Sequence, residues 1–346
     1  MRAMILDPFG AGTDPQLPWV AAALDPLEVE RELTRLPRLA RGGSVRLQRA
    51  RVTRHKMHRR SVIEYDLIVE SSGASPEACT AIGKIRARHD GREDFARMDA
   101  LWSGGFSEDS RDGISVPEPI GAVPAFHMWL QRKVPGRPAG ELMGNAAALA
   151  ERIAEAAHKI HTTSVPTPRQ HTIHDELALL ETYLADAAGH EPPWSDRIAR
   201  VLEGCRHVAV GIDAVAPATI HRDFYQDQVI VHGDRLFVID FDLYCWGDPA
   251  LDIGNFVAHL TELGLRTAGD PRLLAHQEER ILERFVQLSG PRMRRAVAAY
   301  ATLTLARHVY LSFARPGRRA TAEAVLCLCE DRLGLANPSA REPASC

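Results

Sequence analysis

The sequence predicts an α+β fold in which a small antiparallel sheet comes first and a larger, mainly helical region follows. Residues 44–88 contain three β-type runs with turn residues between them, the pattern of consecutive antiparallel strands. From about residue 135, apolar residues recur instead at spacings of three and four, which is typical of amphipathic helices. With 346 residues, the chain is long enough for two lobes with separate cores.

The predicted sheet has five strands and one inserted helix. The strands are placed at 45–52, 61–69, 81–85, 116–120 and 125–134. An amphipathic helix at 94–102 follows the third strand, because Phe95, Met98 and Leu101 recur at helical spacing. Residues 1 to about 20, rich in Gly, Pro and Asp, are expected to form an irregular arm, and residues 25–36 a short helix.

These patterns define the domain organisation. We expect an N-terminal arm and helix over 1–43, a first lobe over 44–134, a helical lobe over 135–336 and a loose tail over 337–346. The boundary between the lobes is placed at the Pro135-Gly136 turn, where strand patterns give way to helical ones.

Composition excludes several classes of partner. The formal net charge of −3 gives no bulk attraction to nucleic acid or to an anionic membrane, so neither is expected as a partner. No apolar run approaches the roughly 20 residues of a membrane span, and the N-terminus lacks a secretory signal pattern. A cytoplasmic location is therefore expected, and the oligomeric state is left open.

The residues with the clearest chemical potential lie together in the stretch 219–256. It contains His221-Arg222-Asp223, then Gln228, then Asp240-Phe241, and finally Gly247-Asp248-Pro249 with Asp252. Phosphoryl transfer needs a group that accepts the proton of the attacking hydroxyl, oxygen ligands for a metal, and cations around the phosphates. Asp223, on a loop before a hairpin, is a candidate for the proton acceptor. The candidate oxygen ligands for the metal are Asp240, at a strand end, and Gln228.

The order and spacing of these motifs resemble the aminoglycoside phosphotransferase and choline kinase group of the protein-kinase-like fold. The resemblance implies a bilobal fold that uses ATP and Mg2+ to phosphorylate a hydroxyl of a small molecule. It implies that Asp223 is the catalytic base, that His221 supports the same loop, and that Gln228 and Asp240 bind the metal. Asp252 would be a buried carboxylate that braces the catalytic loop through backbone N–H groups.

The resemblance extends to the first lobe. There Lys84 would contact the α- and β-phosphates, although a lysine between apolar strand residues is also consistent with an exposed sheet face. Its carboxylate partner would be Asp94, which fits the helical register best, with Glu93 second. Adenine would bond to backbone groups near Arg132 and Val134, in the connection between the lobes.

Two departures from the family pattern leave alternatives open. The turn 55–60 is basic and has no glycine, so it is either a partial substitute for the glycine-rich phosphate loop or a solvated turn. Gln228 stands where the family has asparagine. This substitution leaves a nucleotide-binding pseudokinase open as the alternative to an active enzyme. A protein kinase is less favoured, because the seven residues between Asp240 and Asp248 are too few for an activation loop.

The sequence leaves the acceptor open among aminoglycoside-, sugar- and choline-like compounds. A cationic acceptor would need an acidic pocket, and the candidates, which are equally consistent with a solvated helix face, are Asp175, Glu176, Glu181 and Asp186. Arginines at 292–295 and 315–319 are expected at solvated helix ends, or lining a pocket for an anionic substrate. His161, at the end of an apolar stripe, is expected to pack or cap rather than to bind a ligand.

Overall fold

The structure is a computed structural model that describes residues 3–70, 75–145, 147–213, 215–315 and 317–335. The chain divides into two compact units, Met1–Gly136 with His232–Ile239, and Arg137–Val231 with Asp240–Cys346. The predicted α+β class is confirmed, since the first unit is built on a sheet and the second is mainly helical. The predicted tail at 337–346 lies outside the described residues.

The sheet of the first unit has six strands in the order β1-β2-β3-β4-β7-β6. They are β1 (Met4–Leu6), β2 (Ser44–Lys56), β3 (Arg60–Glu70), β4 (Glu77–Arg86), β6 (Pro119–Val123) and β7 (Met128–Arg132), while β5 (Ile114–Ser115) lies outside this sheet. All neighbours are antiparallel except β1, which pairs parallel to β2. Along β3 every second side chain is buried, so one face of the sheet covers the core.

Part of the N-terminal segment that was expected to be an irregular arm forms regular structure. Besides β1, the segment before β2 forms α1 (Trp19–Ala23), α2 (Pro26–Thr34) and α3 (Pro37–Ala40), and its apolar residues share the core of the sheet. The expected arm includes β1 and the start of α1. Three residues are too few to show strand alternation, and the side chains of β1 are exposed, so backbone pairing alone defines this strand.

The helix expected after the third strand is α4 (Arg92–Leu101). It begins after Gly91, whose φ of +86° lies in the left-handed region that favours glycine. A Cβ at Gly91 would lie 2.5 Å from the backbone of Met128, so a larger residue would separate the start of α4 from β7.

Seven helices form most of the described part of the second unit. They are α5 (Ala147–His161), α6 (Ile173–His190), α7 (Ser195–Val210), α8 (Ala250–Ala268), α9 (Ala275–Ser289), α10 (Met293–Phe313) and α11 (Arg319–Arg332). Helix α10 is central, because it packs against α6, α7, α8, α9 and α11 and is buried along most of its length. None of the helices in the described ranges combines the length and apolar character that a membrane crossing requires.

Short strands hold the loops that carry the chemical motifs. In the second unit β8 (Arg137–Pro138) pairs with β10 (Val229–His232), and β9 (Ala218–Ile220) pairs with β12 (Cys245–Gly247), both antiparallel. In the first unit β11 (Arg235–Val238) pairs parallel to β5. The loop 221–228 therefore runs from β9 to β10, and Asp240 follows shortly after β11.

Helices α8 and α10 approach closely at Gly254, where a Cβ would lie 2.6 Å from Tyr300 Cβ and 2.9 Å from Ala301 N. We expect Gly254→Ala to lower the free energy of unfolding by about 1–3 kcal/mol, measured by urea denaturation, because overpacking outweighs the better helix propensity of alanine. The matched control is Gly189→Ala in α6, where no atom lies within 4 Å of the added carbon. Equal stability of the two variants would contradict this account.

Candidate active site

The loop 221–228 is held by a buried framework in the second unit. Its preceding strand is fixed by Thr219, whose hydroxyl donates to the carbonyl of Ile160 at 2.7 Å. His221 is fully buried, and its ring centroid lies 4.7 Å from that of Phe241 and 5.8 Å from that of Phe224. The start of the loop is therefore part of the core rather than a mobile surface segment.

Asp252, on the first turn of α8, binds the loop backbone directly. It is fully buried, and its carboxylate accepts the backbone N–H of His221 at 2.8 Å and that of Arg222 at 2.7 Å. Arg222 has a φ of +68°, a conformation unfavourable for a side-chain-bearing residue. The charge-assisted bonds from Asp252 stabilise this conformation, which turns the chain toward Asp223.

His161 supplies a third contact to the same carboxylate. Its Nε2 lies 3.0 Å from Oδ2 of Asp252, and its ring packs edge-on against Phe285. The residue thus packs as the sequence indicated, and it also connects the end of α5 to the base of the loop. A buried carboxylate with three hydrogen-bonding partners satisfies the requirement that buried charges be paired.

Sequence reasoning missed a second anchor of the loop. Asn255 Nδ2 donates to the carbonyl of Phe224 at 3.0 Å, and its Oδ1 accepts from Arg307 at 2.7 Å. Arg307 also pairs with Glu176 at 2.9 Å, and Glu176 bonds to His171 at 2.8 Å. The position of Asn255, three residues after Asp252 on one helix, was the available signal; the other partners are distant in the sequence.

Three of the four candidates for an acidic pocket instead have structural partners. Glu176 is buried, and although burial pushes its pKa up, Arg307 and His171 hold that pKa below its ordinary value. Asp175 forms a capping box with Thr172 at the start of α6. Glu181 pairs with Arg206 at 2.6 Å. These three side chains therefore have partners within the protein.

Asp223 and Gln228 lie close to each other on the loop. The side chain of Gln228 is buried, and its Nε2 donates to Oδ2 of Asp223 at 3.5 Å. Burial raises the pKa of Asp223 above its ordinary value; the nearby Asp240 carboxylate adds to this rise, against the lowering effects of His221 and Arg307. Asp223 and Asp240 are thus close enough to interact electrostatically.

Asp240 and Gln228 are chemically suited to hold Mg2+. Asp240 has a φ of +65° and precedes the 3-10 turn Phe241–Leu243. Because the amide nitrogen of Gln228 faces Asp223, its oxygen remains as a neutral ligand. Apart from the undescribed gaps, residues 3–335 contain no group of three or more His, Cys, Asp or Glu that could hold a metal. Magnesium sites in kinases need only one or two protein carboxylates, so these two residues fit.

The Gly247-Asp248-Pro249 motif is a tight structural turn before α8. A Cβ at Gly247 would lie 2.5 Å from Cδ1 of Ile220 and 2.9 Å from the carbonyl of His171. The carboxylate of Asp248 accepts the N–H of Ala250 at 2.9 Å. The motif thereby fixes the start of α8, and with it Asp252.

Lys84 lies on β4 in the first unit, opposite Trp129 in the register of the sheet. Its Nζ lies 5.4 Å from the ring centroid of Trp129, within the range of a cation–π contact. The half-buried lysine is therefore ordered by its neighbour on β7.

Asp94 is buried on the first turn of α4, and its carboxylate contacts two arginines. Arg97 donates to it from the same helix, and Nε of Arg86 lies 3.5 Å away. The predicted pairing of Asp94 with Lys84, and the alternative with Glu93, stay predictions.

The segment expected to bind adenine begins at the end of β7. The backbone N–H of Arg132 donates to the carbonyl of Glu118 at 2.8 Å, and its side chain pairs with the Glu118 carboxylate at 2.6 Å. The N–H of Arg132 is therefore occupied within the sheet. The backbone of Val134 makes no hydrogen bond within the part of the chain that the structure describes.

The basic turn 55–60 is attached to the N-terminal segment. Asp14 is buried and accepts the backbone N–H of His58 at 2.7 Å; its carboxylate also lies 2.9 Å from Nδ1 of His58 and 3.3 Å from Nε2 of His55. These contacts use both histidines within the protein. The turn is thus more constrained than a simple solvated turn.

Comparison with known proteins identifies the family and the fold of this chain. The family described as "Phosphotransferase enzyme family" (APH) matches residues 80–300, more than half of the chain. The chain belongs to this family. A search of curated proteins finds no significant match to this chain.

Solved structures share the fold of this phosphotransferase at low sequence identity. A choline/ethanolamine kinase family protein from Mesorhizobium loti aligns with a TM-score of 0.55 and 18% identity, covering 90% of this chain and 95% of that one. A thermostable mutant of aminoglycoside phosphotransferase APH(4)-Ia, in complex with AMP-PNP and hygromycin B, aligns with a TM-score of 0.57 and 14% identity, covering 90% and 99%. A glucosamine kinase in complex with glucosamine, ADP and inorganic phosphate aligns with a TM-score of 0.54 and 18% identity, covering 82% of this chain and 81% of that one. The predicted protein-kinase-like fold is thereby confirmed.

The framework predicts how the chain responds to loss of the Asp252 charge. In Asp252→Asn only one oxygen remains, so at least one buried backbone N–H loses its acceptor, at a cost of about 1–3 kcal/mol. We expect lower stability in urea denaturation, with kcat reduced by about tenfold to a hundredfold as the loop is displaced. Asp186→Asn, an exposed change on α6, is the control and should leave both values unchanged. Unaltered kcat in Asp252→Asn would mean that the loop keeps its geometry without this carboxylate.

Proposed function

We propose that this chain transfers the γ-phosphoryl group of ATP to a hydroxyl of a small molecule. The observation that carries the proposal is the rigid support of one loop: Asp252 and Asn255 bind its backbone, and this loop brings Gln228 against Asp223. Phosphoryl transfer depends mainly on positioning and on charge stabilisation, so a preorganised loop is what the chemistry requires. Membership of the phosphotransferase family supports the same reaction class.

Asp223 is the proposed catalytic base. Its carboxylate orients the acceptor hydroxyl and takes its proton as the oxygen bonds to the γ-phosphorus, while the bond from phosphorus to the leaving oxygen of ADP breaks. The raised pKa of Asp223 brings the group closer to the range in which it can accept a proton and release it again. His221 acts on this step indirectly, by fixing the loop.

Asp240 and Gln228 are the proposed ligands of Mg2+. When bound, the ion would neutralise charge on the phosphate oxygens and on the departing ADP. In the first unit we propose that Lys84 contacts the α- and β-phosphates, with Asp94 supporting it. Val134, whose backbone has no internal partner among the described residues, is better suited than Arg132 to hydrogen-bond adenine.

A nucleotide-binding pseudokinase is the second candidate function. Two observations favour it: Gln228 is one methylene longer than asparagine, and the turn 55–60 has no glycine and is bonded to Asp14. Against it, Asp223 keeps its environment of burial, neighbouring carboxylate and amide contact. Such an arrangement is typical of a reacting group, so we place active transfer first.

Replacement of the proposed base tests the reaction. Asp223→Asn should lower kcat by about a hundredfold to ten-thousandfold, because the amide cannot accept the proton, while ADP binding measured by calorimetry stays unchanged. Asp196→Asn, exposed at the start of α7, is the matched control. The assay is ATP consumption with a panel of amino sugars, sugars, choline and hydroxy acids.

The pH profile of the unmodified enzyme provides an internal check. The carboxylate form of Asp223 is the active one, so kcat/KM should fall as the pH drops through a pKa above the ordinary aspartate value. Wild-type turnover by Asp223→Asn would rule out this base. ADP binding without transfer to any acceptor would favour the pseudokinase.

Gln228 is the residue that best distinguishes an active transferase from a pseudokinase. In Gln228→Asn the shorter side chain withdraws the amide oxygen by about one carbon–carbon bond, and displacements of this order can change rates by about a hundredfold. We expect the Mg2+ concentration for half-maximal activity to change by at least severalfold. The measurement is kcat against free Mg2+, with Gln287→Asn on α9 as the control. An unchanged metal dependence would show that Gln228 does not bind the ion.

A further inference from the structure

A small cavity of about 90 Å³ lies directly beside the proposed catalytic loop in the second unit. Tyr225, Gln226 and Asp227 of the loop form one side, and residues of α8, α10 and the turn after α10 form the other. Tyr225 follows Asp223 by two residues, so their Cα atoms are at most about 7 Å apart. The cavity is therefore lined by the same loop that carries Asp223.

The lining of this cavity is rich in arginine. Arg266 comes from α8, and Arg315 and Arg318 come from the turn after α10. Arg266 is neutralised by Glu262, with Nε 3.0 Å from the carboxylate. Neither Arg315 nor Arg318 has an ion-pair partner among the residues that the structure describes. Asp227 is the other lining carboxylate, so the lining has three arginines against two carboxylates, an excess of one positive charge.

Two buried polar side chains of the lining also lack hydrogen-bonding partners. His308 is 6% exposed and Gln226 is 4% exposed, yet Nε2 of the first and Oε1 of the second have no partner. Leaving such atoms unsatisfied costs about 1–3 kcal/mol each. Nε2 can donate to an anion, and Oε1 can accept from a hydroxyl, so the two atoms together are suited to a hydroxylated anion.

The histidines of the cavity are held neutral by their surroundings. His308 packs edge-on against His259 at 4.4 Å, and His259 stacks on Tyr225 at 4.4 Å. Burial, with smaller contributions from Arg307, Arg315 and Arg266, lowers the pKa of His308 to about 3. Burial also lowers the pKa of Arg318, with Arg266 and Arg315 adding to the effect. A negative ligand group would relieve this concentration of positive charge.

The size of the cavity restricts what enters it. A volume of about 90 Å³ equals the liquid share of about three water molecules, which suits one carboxylate or phosphate group. Whole ligands typically fill about 300–1,000 Å³, so the cavity would hold only one group of a larger molecule.

We propose that the acceptor is a small hydroxylated anion whose carboxylate or phosphate group binds in this cavity to Arg315 and Arg318. The inference rests on the proposed function and specifies its substrate class. A polycationic aminoglycoside would meet like charge from the two arginines, and three of the four acidic side chains that could have received it are engaged elsewhere. Arginine suits this role because its planar donors match both carboxylate and phosphate.

The anion site is tested first by binding. Inorganic phosphate and acetate are titrated by calorimetry at constant ionic strength, with ADP saturating so that the nucleotide phosphates occupy their own site. We expect saturable binding that weakens at least tenfold in an Arg315→Gln, Arg318→Gln double variant. Arg272→Gln, an exposed arginine beyond the end of α8, is the matched control and should bind as the wild type does. The preferred anion distinguishes a carboxylate from a phosphate site.

The acceptor class is tested by turnover with compounds that differ in one group. Glycerate and glycerol 3-phosphate carry the two anions, glycerol carries neither, and glucosamine carries a cation. We expect kcat/KM to be at least tenfold higher for one of the anionic compounds than for glycerol. This preference should disappear in the double variant and persist in Arg272→Gln.

The outcomes separate this inference from the proposed function. Transfer that proceeds equally well to anionic and neutral acceptors, or phosphate and acetate binding that the double variant leaves intact, would overturn the anion site. Anion binding that depends on the two arginines supports the site even if no acceptor is phosphorylated, and that result would count against the transferase. Asp223→Asn should keep the anion affinity, since its effect is confined to transfer.

Discussion

The buried carboxylate of Asp252 is the interaction on which the candidate site depends. It accepts the backbone N–H groups of two consecutive residues of the loop 221–228, and it also bonds to His161. A fully buried charge is unfavourable unless it is paired and hydrogen-bonded, so these partners and the carboxylate constrain one another. The unfavourable positive φ of Arg222 persists because this network fixes both sides of the peptide.

Helix α10 contributes both to the support of the loop and to the proposed anion site. Arg307, in its middle, is committed to Glu176 and Asn255, and through Asn255 it holds the loop carbonyl at Phe224. Past the end of the same helix, Arg315 has no ion-pair partner among the described residues and lines the small cavity beside the loop. Arg307 thus contributes to structure, while Arg315 is one of the two arginines of the proposed anion site.

In the first unit the N-terminal segment has a structural role that the sequence did not reveal. Its strand and helices complete the sheet core, and Asp14 fixes the turn between β2 and β3 through His58 and His55. In this chain, side-chain contacts from another segment constrain a turn that contains no glycine. The constraint reduces the freedom of the turn, as a preorganised phosphate contact would require.

The sequence by itself determined the α+β class, the change from strands to helices and the set of residues in the stretch 219–256, because periodicity and motif spacing are local properties of the chain. It could not determine β1, whose pairing depends on β2 more than 40 residues away, nor the Asn255–Arg307–Glu176 network. The acidic residues of α6 and the arginines after α10 looked alike as surface charge in the sequence. Only tertiary packing decided that Glu176 is buried and paired while Arg315 and Arg318 face a cavity, because burial and charge pairing depend on neighbours that folding brings together.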